Sequence, residues 1–115
     1  MPSKFLSRQA WLSALVIVAG LSFPTAVKSG AISPDRQKSL IHLLRQDCGS
    51  CHGMTMKGGL GPGLLPVNLA EKPDETLTGI ILDGVPGTPM PPWRPLLAPE
   101  EVAWMVKQLK EGLGR

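Results

Sequence analysis

Cysteine is scarce in this chain. Of 115 residues two are cysteines, Cys48 and Cys51, three positions apart. A disulfide framework is therefore excluded, because this pair would close a tiny strained ring and tie nothing distant together. Histidine is equally scarce, with His42 and His52 alone. A structural zinc site needs four ligands, and these four side chains are all the cysteine and histidine there is. Cys51 and His52 are consecutive and cannot easily both turn to one ion, so zinc is disfavoured. Period-2 alternation of apolar and polar residues is absent, which argues against strands. Its absence also removes the βαβ setting expected around a thioredoxin-like dithiol. No internal repeat is present.

Net charge is lacking too, once the chain is divided. Lys4 and Arg8 precede the apolar stretch AWLSALVIVAGLSF, residues 10–23. A basic start followed by such a run reads as a secretory signal peptide. A membrane-spanning helix needs roughly 20 apolar residues, and this run stops at Pro24. The alternative is an uncleaved signal acting as an anchor, the one membrane association expected. Cleavage after Ser29 or Ala31 suits the small-residue rule better than cleavage after Ala26, which puts Pro24 at the −3 position. We take residues 1–29 as the signal and 30–115 as a single domain. The whole chain has 12 Lys and Arg against 9 Asp and Glu, net +3. Lys4, Arg8 and Lys28 leave with the signal, so nine basic residues remain against nine acidic ones. No basic stripe is left to support nucleic-acid binding.

A domain of about 86 residues is near the size at which a protein core alone gives little stability. Some further staple is expected, and disulfides cannot supply it. Ser33 as N-cap, Pro34 and Asp35 open a helix predicted over 34–47, with Leu40, Ile41, Leu43 and Leu44 as its apolar face. Residues 53–67, GMTMKGGLGPGLLPV, are too glycine-rich for a helix and read as a functional loop. A second helix is predicted over 73–83, ended by Gly84. VPGTPMPPWRPLL, with five prolines, can be neither helix nor central strand. The last helix starts at Pro99, carries Val102, Met105, Val106 and Leu109 as its apolar stripe, and closes at Gly112.

The cysteines and His52 form Cys-x-x-Cys-His, the attachment signature of c-type haem. Each thiol adds to one haem vinyl group. Two intervening residues let both sulfurs reach one macrocycle, and the adjacent His52 serves the iron as proximal ligand. For the second axial position the candidates are His42 and the methionines. His42 lies on the first helix and reads as an ordinary helix-face histidine. Met54 and Met56 are tied too closely to His52, and Met105 belongs to the core stripe. Met90 lies in GTPMPPW, where prolines stiffen the backbone, and is the candidate thioether ligand; the alternative is a surface methionine in a proline loop. Trp93 either reaches a haem propionate or covers the ring edge, or it fills core space. Arg94 either pairs with a propionate or is solvated.

With Cys48, Cys51 and His52 near the start, Met90 in a proline loop and an amphipathic helix at the end, the domain resembles a class I cytochrome c. That resemblance implies an all-α fold of three to four helices around one covalent haem c, with the first and last helices packed together. It implies that GPGL (residues 61–64) wraps the proximal side and that the Pro62 carbonyl accepts the His52 Nδ1–H bond. The string DCGSCHGMTMKGGLGPGL … ILDGVPGTPMPPWRPLL is similar to the small monohaem NirC-type cytochromes of denitrification gene clusters. This implies a monomeric, periplasmic electron-transfer protein rather than an enzyme. Its partner would be cytochrome cd1 nitrite reductase or a haem d1 maturation factor. One departure concerns the last helix, where Gln108 stands at a position often aromatic and Trp104 lies one turn earlier.

Overall fold

The computed structural model describes residues 30–114. The expected signal over 1–29 lies outside the described residues. Helix α1 spans Pro34–Leu43, with Ser33 extended at the N-cap and its Oγ accepting from the Arg36 amide at 3.3 Å. The helix does not stop near residue 47. It widens into a π turn, Leu44–Cys48, and returns to α geometry as α2, Gly49–His52. Gly53, at φ +88°, ends it. A one-turn helix α3, Pro66–Leu69, starts at the end of the stretch read as loop, residues 53–67. Pro66 suits its first position, and the Asn68 side chain accepts from the Leu65 amide at 3.2 Å. Four residues are too few to leave a helical period. Helix α4 is Asp74–Asp83 and α5 is Pro99–Glu111. Left-handed Gly112 closes α5, and the Leu113 amide bonds the Gln108 carbonyl at 2.8 Å. With the bent first helix taken as one, the described residues hold four helical segments and no strand, as the resemblance implied. No described helix is long and apolar enough to cross a membrane.

Leu40 and Leu44 of the first helix join Val102, Met105 and Leu109 of α5 in one core, completed by Met56, Leu69, Leu82 and Leu97. The predicted stripe of α5 is thus the buried one, Val106 included. Truncating one such leucine to alanine typically costs about 2–5 kcal/mol, a large part of what a domain this small holds. Across the first and last helices, Arg36 grips Glu101 with both arms of its guanidinium, Nε–Oε1 at 2.6 Å and Nη2–Oε2 at 3.1 Å. Glu101 Oε2 also accepts from the Ala98 amide at the start of α5. Arg45 Nη2 donates to the Leu113 carbonyl at 3.1 Å. On the outer side of this crossing, Trp104 packs half-buried against the core. With Ile41 and Gln108 it lines a shallow, open hollow.

The Arg36–Glu101 contact predicts a pH dependence. The hydrogen bond from Arg36 holds the Glu101 carboxyl below its ordinary value near 4.5, against the opposing effect of burial. A depressed carboxyl pKa stabilises the fold fully above the unfolded value, and that stability is lost as pH falls through the folded one. Glu101→Gln is expected to lower Tm by roughly a few degrees at neutral pH and to flatten the acid side of the Tm–pH curve. Thermal melts from pH 7 to pH 3 check this. An acid limb as steep as in the wild type would assign the effect to other carboxylates.

Candidate cofactor site

The motif residues sit at the end of one helix. Cys48 closes the π turn, and Cys51 and His52 end α2. The loop that follows folds back on them. The Gly58 amide bonds the His52 carbonyl and the Gly61 amide bonds the Cys51 carbonyl, both at 2.8 Å. The last carbonyls of a helix need such partners. Two glycines make the close approach feasible. A Cβ on Gly61 would lie 2.7 Å from both Cε1 and Nδ1 of His52, and one on Gly59 would lie 2.9 Å from the Cys51 oxygen. His52 Nδ1 lies 2.7 Å from the Pro62 carbonyl oxygen. A proline carbonyl can only accept, so Nδ1 carries the proton and Nε2 keeps its lone pair for a metal.

Both cysteines are free thiols, neither buried nor fully exposed. Burial, with the nearby Asp47 charge second, pushes the Cys48 thiol up to about 11. Redox-active dithiols work with lowered pKa values, the opposite direction. Among the described residues no group of three or more His, Cys, Asp and Glu side chains is placed to hold a metal ion.

The proline segment is stitched to the end of α4. Gly84 turns the chain at φ +68°, and a Cβ there would meet backbone atoms of Met90, Pro91 and Pro92 at 2.8 Å. The Val85 amide bonds the Met90 carbonyl at 3.2 Å, and the Trp93 and Arg94 amides bond the carbonyls of Ile81 and Leu82. The Met90 amide donates to Thr88 Oγ1 at 3.3 Å. Within residues 85–92 Met90 alone is half-buried, and the rest are exposed. Met105 is fully buried, Met56 is buried in the core and Met54 is 61% exposed. His42 is exposed on α1. Trp93 is half-buried against the core. Arg94 is not simply solvated, since its Nε and Nη2 hold Asp83 Oδ1 at 2.8 and 2.7 Å. Sequence reasoning placed Gly84 at a helix end and Gly61 in the GPGL stretch but gave neither its close contacts, because a glycine's neighbours in space leave no mark in a glycine-rich string. Nor did it foresee that Gly49, inside the motif, lies under Met54, whose sulfur would be 3.2 Å from an added Cβ.

A helical fold that brings two thiols and an imidazole with a free Nε2 to one helix end is that of a c-type cytochrome. The family model described as cytochrome c oxidase, cbb3-type, subunit III matches residues 35–107, and the chain belongs to this family of c-type cytochrome domains. It is 47% identical over 108 residues to cytochrome c55X of Pseudomonas aeruginosa, an alignment covering 91% of each chain. The solved structure of the c-type cytochrome NirC is similar at 52% identity and TM-score 0.68, covering 70% of this chain and 94% of that one. A second solved structure, dihydro-heme d1 dehydrogenase NirN in complex with DHE, is similar at 34% identity and TM-score 0.58. That match covers 64% of this chain and 16% of the larger one. The cofactor is one covalently bound haem c, for which the chain has a single Cys-x-x-Cys-His motif. The residues present fit it in donor chemistry, and half-buried Leu64, Leu65, Leu77, Ile81 and Trp93 offer apolar surface beside the core.

Proposed function

We propose that this protein is a periplasmic carrier of single electrons, monomeric and not itself an enzyme, that serves denitrification by passing electrons to cytochrome cd1 nitrite reductase. Cys48 and Cys51 would anchor the haem, and His52 and Met90 would hold its iron. The observation that carries the reading is the 2.7 Å contact of His52 Nδ1 with the Pro62 carbonyl. It orients the imidazole, fixes its tautomer and raises its basicity as a ligand. Bound haem supplies an iron that alternates between ferrous and ferric states. The protein sets its potential and limits access to it. A thioether from Met90 and an imidazole from His52 would together raise that potential and leave no place for a substrate. Trp93, half-buried against the core, would cover a haem edge.

Gly61→Ala tests the proximal side. The added methyl would collide with the ring, so the variant is expected to lose the Nδ1–Pro62 bond, load less covalent haem and show a shifted visible spectrum. Haem-stained gels and absorption spectra check this, and wild-type values for both would contradict it.

The similarity to the dihydro-heme d1 dehydrogenase favours a second reading, that of an accessory factor in maturation of haem d1 or of the reductase. A deletion strain separates the two. Loss of a carrier slows nitrite turnover while active reductase still accumulates. Loss of a maturation factor leaves reductase without haem d1. In either case the full chain must restore the phenotype.

A further inference from the structure

The first helix changes register once, at the π turn Leu44–Cys48. There the Gly49 amide reaches back five residues to the Leu44 carbonyl, sharing its bond with the Gln46 carbonyl. Leu40 and Leu44 are wholly buried and mark the direction of the core. At about 100° per residue, an unbroken α-helix would put residue 47 within about 20° of Leu40 and residue 48 about 80° away from it. The midline between Leu40 and Leu44 lies about 20° from Leu40, so residue 47 would stand about 40° to one side of it and residue 48 about 60° to the other. A regular helix would therefore bring the Asp47 carboxylate nearer the core than Cys48. Burying an unpaired carboxylate is strongly unfavourable. The arrangement found is the reverse: Asp47 is exposed, and Cys48 packs against the core. The Ser50 hydroxyl donates to the Asp47 carbonyl at 2.6 Å, serving an oxygen at the widened turn.

We propose that the π turn holds one residue in excess of the helical register, and that this residue aims the attachment motif. It exchanges Asp47 for Cys48 at the core face and carries Cys51 and His52 round with it. Such single-turn π bulges occur often at functional sites. The inference rests on the roles given above to Cys48, Cys51 and His52. Gln46 and Asp47 are exposed and act through position; Arg45, also exposed, has its guanidinium on the Leu113 carbonyl.

The test is a deletion that ought to harm and does not. Removing Gln46 from the full chain lets the turn close as regular α-helix, and the old Cys48 becomes the seventh residue after Leu40, still on the core face. Covalent haem yield and the visible spectrum are expected to stay those of the wild type. Inserting one alanine between Gln46 and Asp47 adds about 100° that nothing absorbs, and stained haem is expected to be lost. Loss of haem from the deletion variant, as in the insertion variant, overturns the proposal. An independent check uses the unaltered chain and needs no variant to fold. Scalar coupling across hydrogen bonds, read by NMR, should link the Gly49 amide to the Leu44 carbonyl carbon. A link to Arg45 instead overturns the register shift. Absence of covalent haem from the wild type would defeat the reading of the site, and it is seen before any variant is compared.

Discussion

Met90→Ala is expected to lower the reduction potential by a sizeable share of the roughly 0.8 V that axial ligands span. It should also open the iron to added imidazole or cyanide. The fold should survive. The backbone amide and carbonyl of Met90 keep their bonds to Thr88 and Val85 whatever the side chain, and Gly84 still turns the chain beneath them. The side chain is only half-buried, so its truncation removes little apolar area from the core. The variant thus isolates the sulfur. Potentiometric titration and a ligand-binding titration check it. An unchanged potential with no uptake of external ligand would show that Met90 is a loop methionine and no ligand.

Replacing both Cys48 and Cys51 by alanine is expected to abolish covalent haem altogether, and each single replacement to leave one thioether. The effect on stability should be as large as that on the cofactor. The core is one cluster of nine buried side chains, and a domain near this size draws only about 3–5 kcal/mol from such a core. No disulfide ties the ends together, since both cysteines are free thiols. A group that binds only the folded state adds its binding free energy to folding. Denaturing gels stained for haem and thermal melts check the double variant. Its melting at the wild-type temperature would show that the protein core suffices and that the expected staple is not needed.

The helix starts were legible because proline and the caps announce them. Pro34 after Ser33, Asp74 after Pro73 and Pro99 before two glutamates each mark a first turn, and the structure starts helices there. The stripe Val102, Met105, Val106 and Leu109 has a clean helical period and is the buried face of α5. The end of the first helix was not legible. The predicted helix ends at residue 47, yet α2 carries it on to His52 because the loop from Gly53 to Pro62 returns to satisfy its last carbonyls. The π turn has no residue signature. Its trace in the sequence is an aspartate at the place where a regular helix would want an apolar side chain. Within the site, the chemistry was readable in Cys48, Cys51 and His52, since their spacing along the chain is itself the signal. The contact of His52 with Pro62 joins residues ten apart through a loop, and only the family resemblance pointed to it. Arg94 pairs with Asp83 across the turn at Gly84, a proximity that composition cannot reveal.

The central claim is that this chain holds one haem by two thioethers and ligates its iron with a histidine and a methionine. The most direct test is a visible and near-infrared spectrum of the periplasmically expressed protein, oxidised and reduced, read beside a haem-stained denaturing gel. The account predicts haem that stays with the denatured polypeptide and, in the oxidised protein, the weak far-red charge-transfer band of sulfur bound to ferric iron. Haem that stays without that band would contradict the role of Met90 and turn attention to His42 or an open site. A gel without stain would contradict the reading of Cys48, Cys51 and His52 itself.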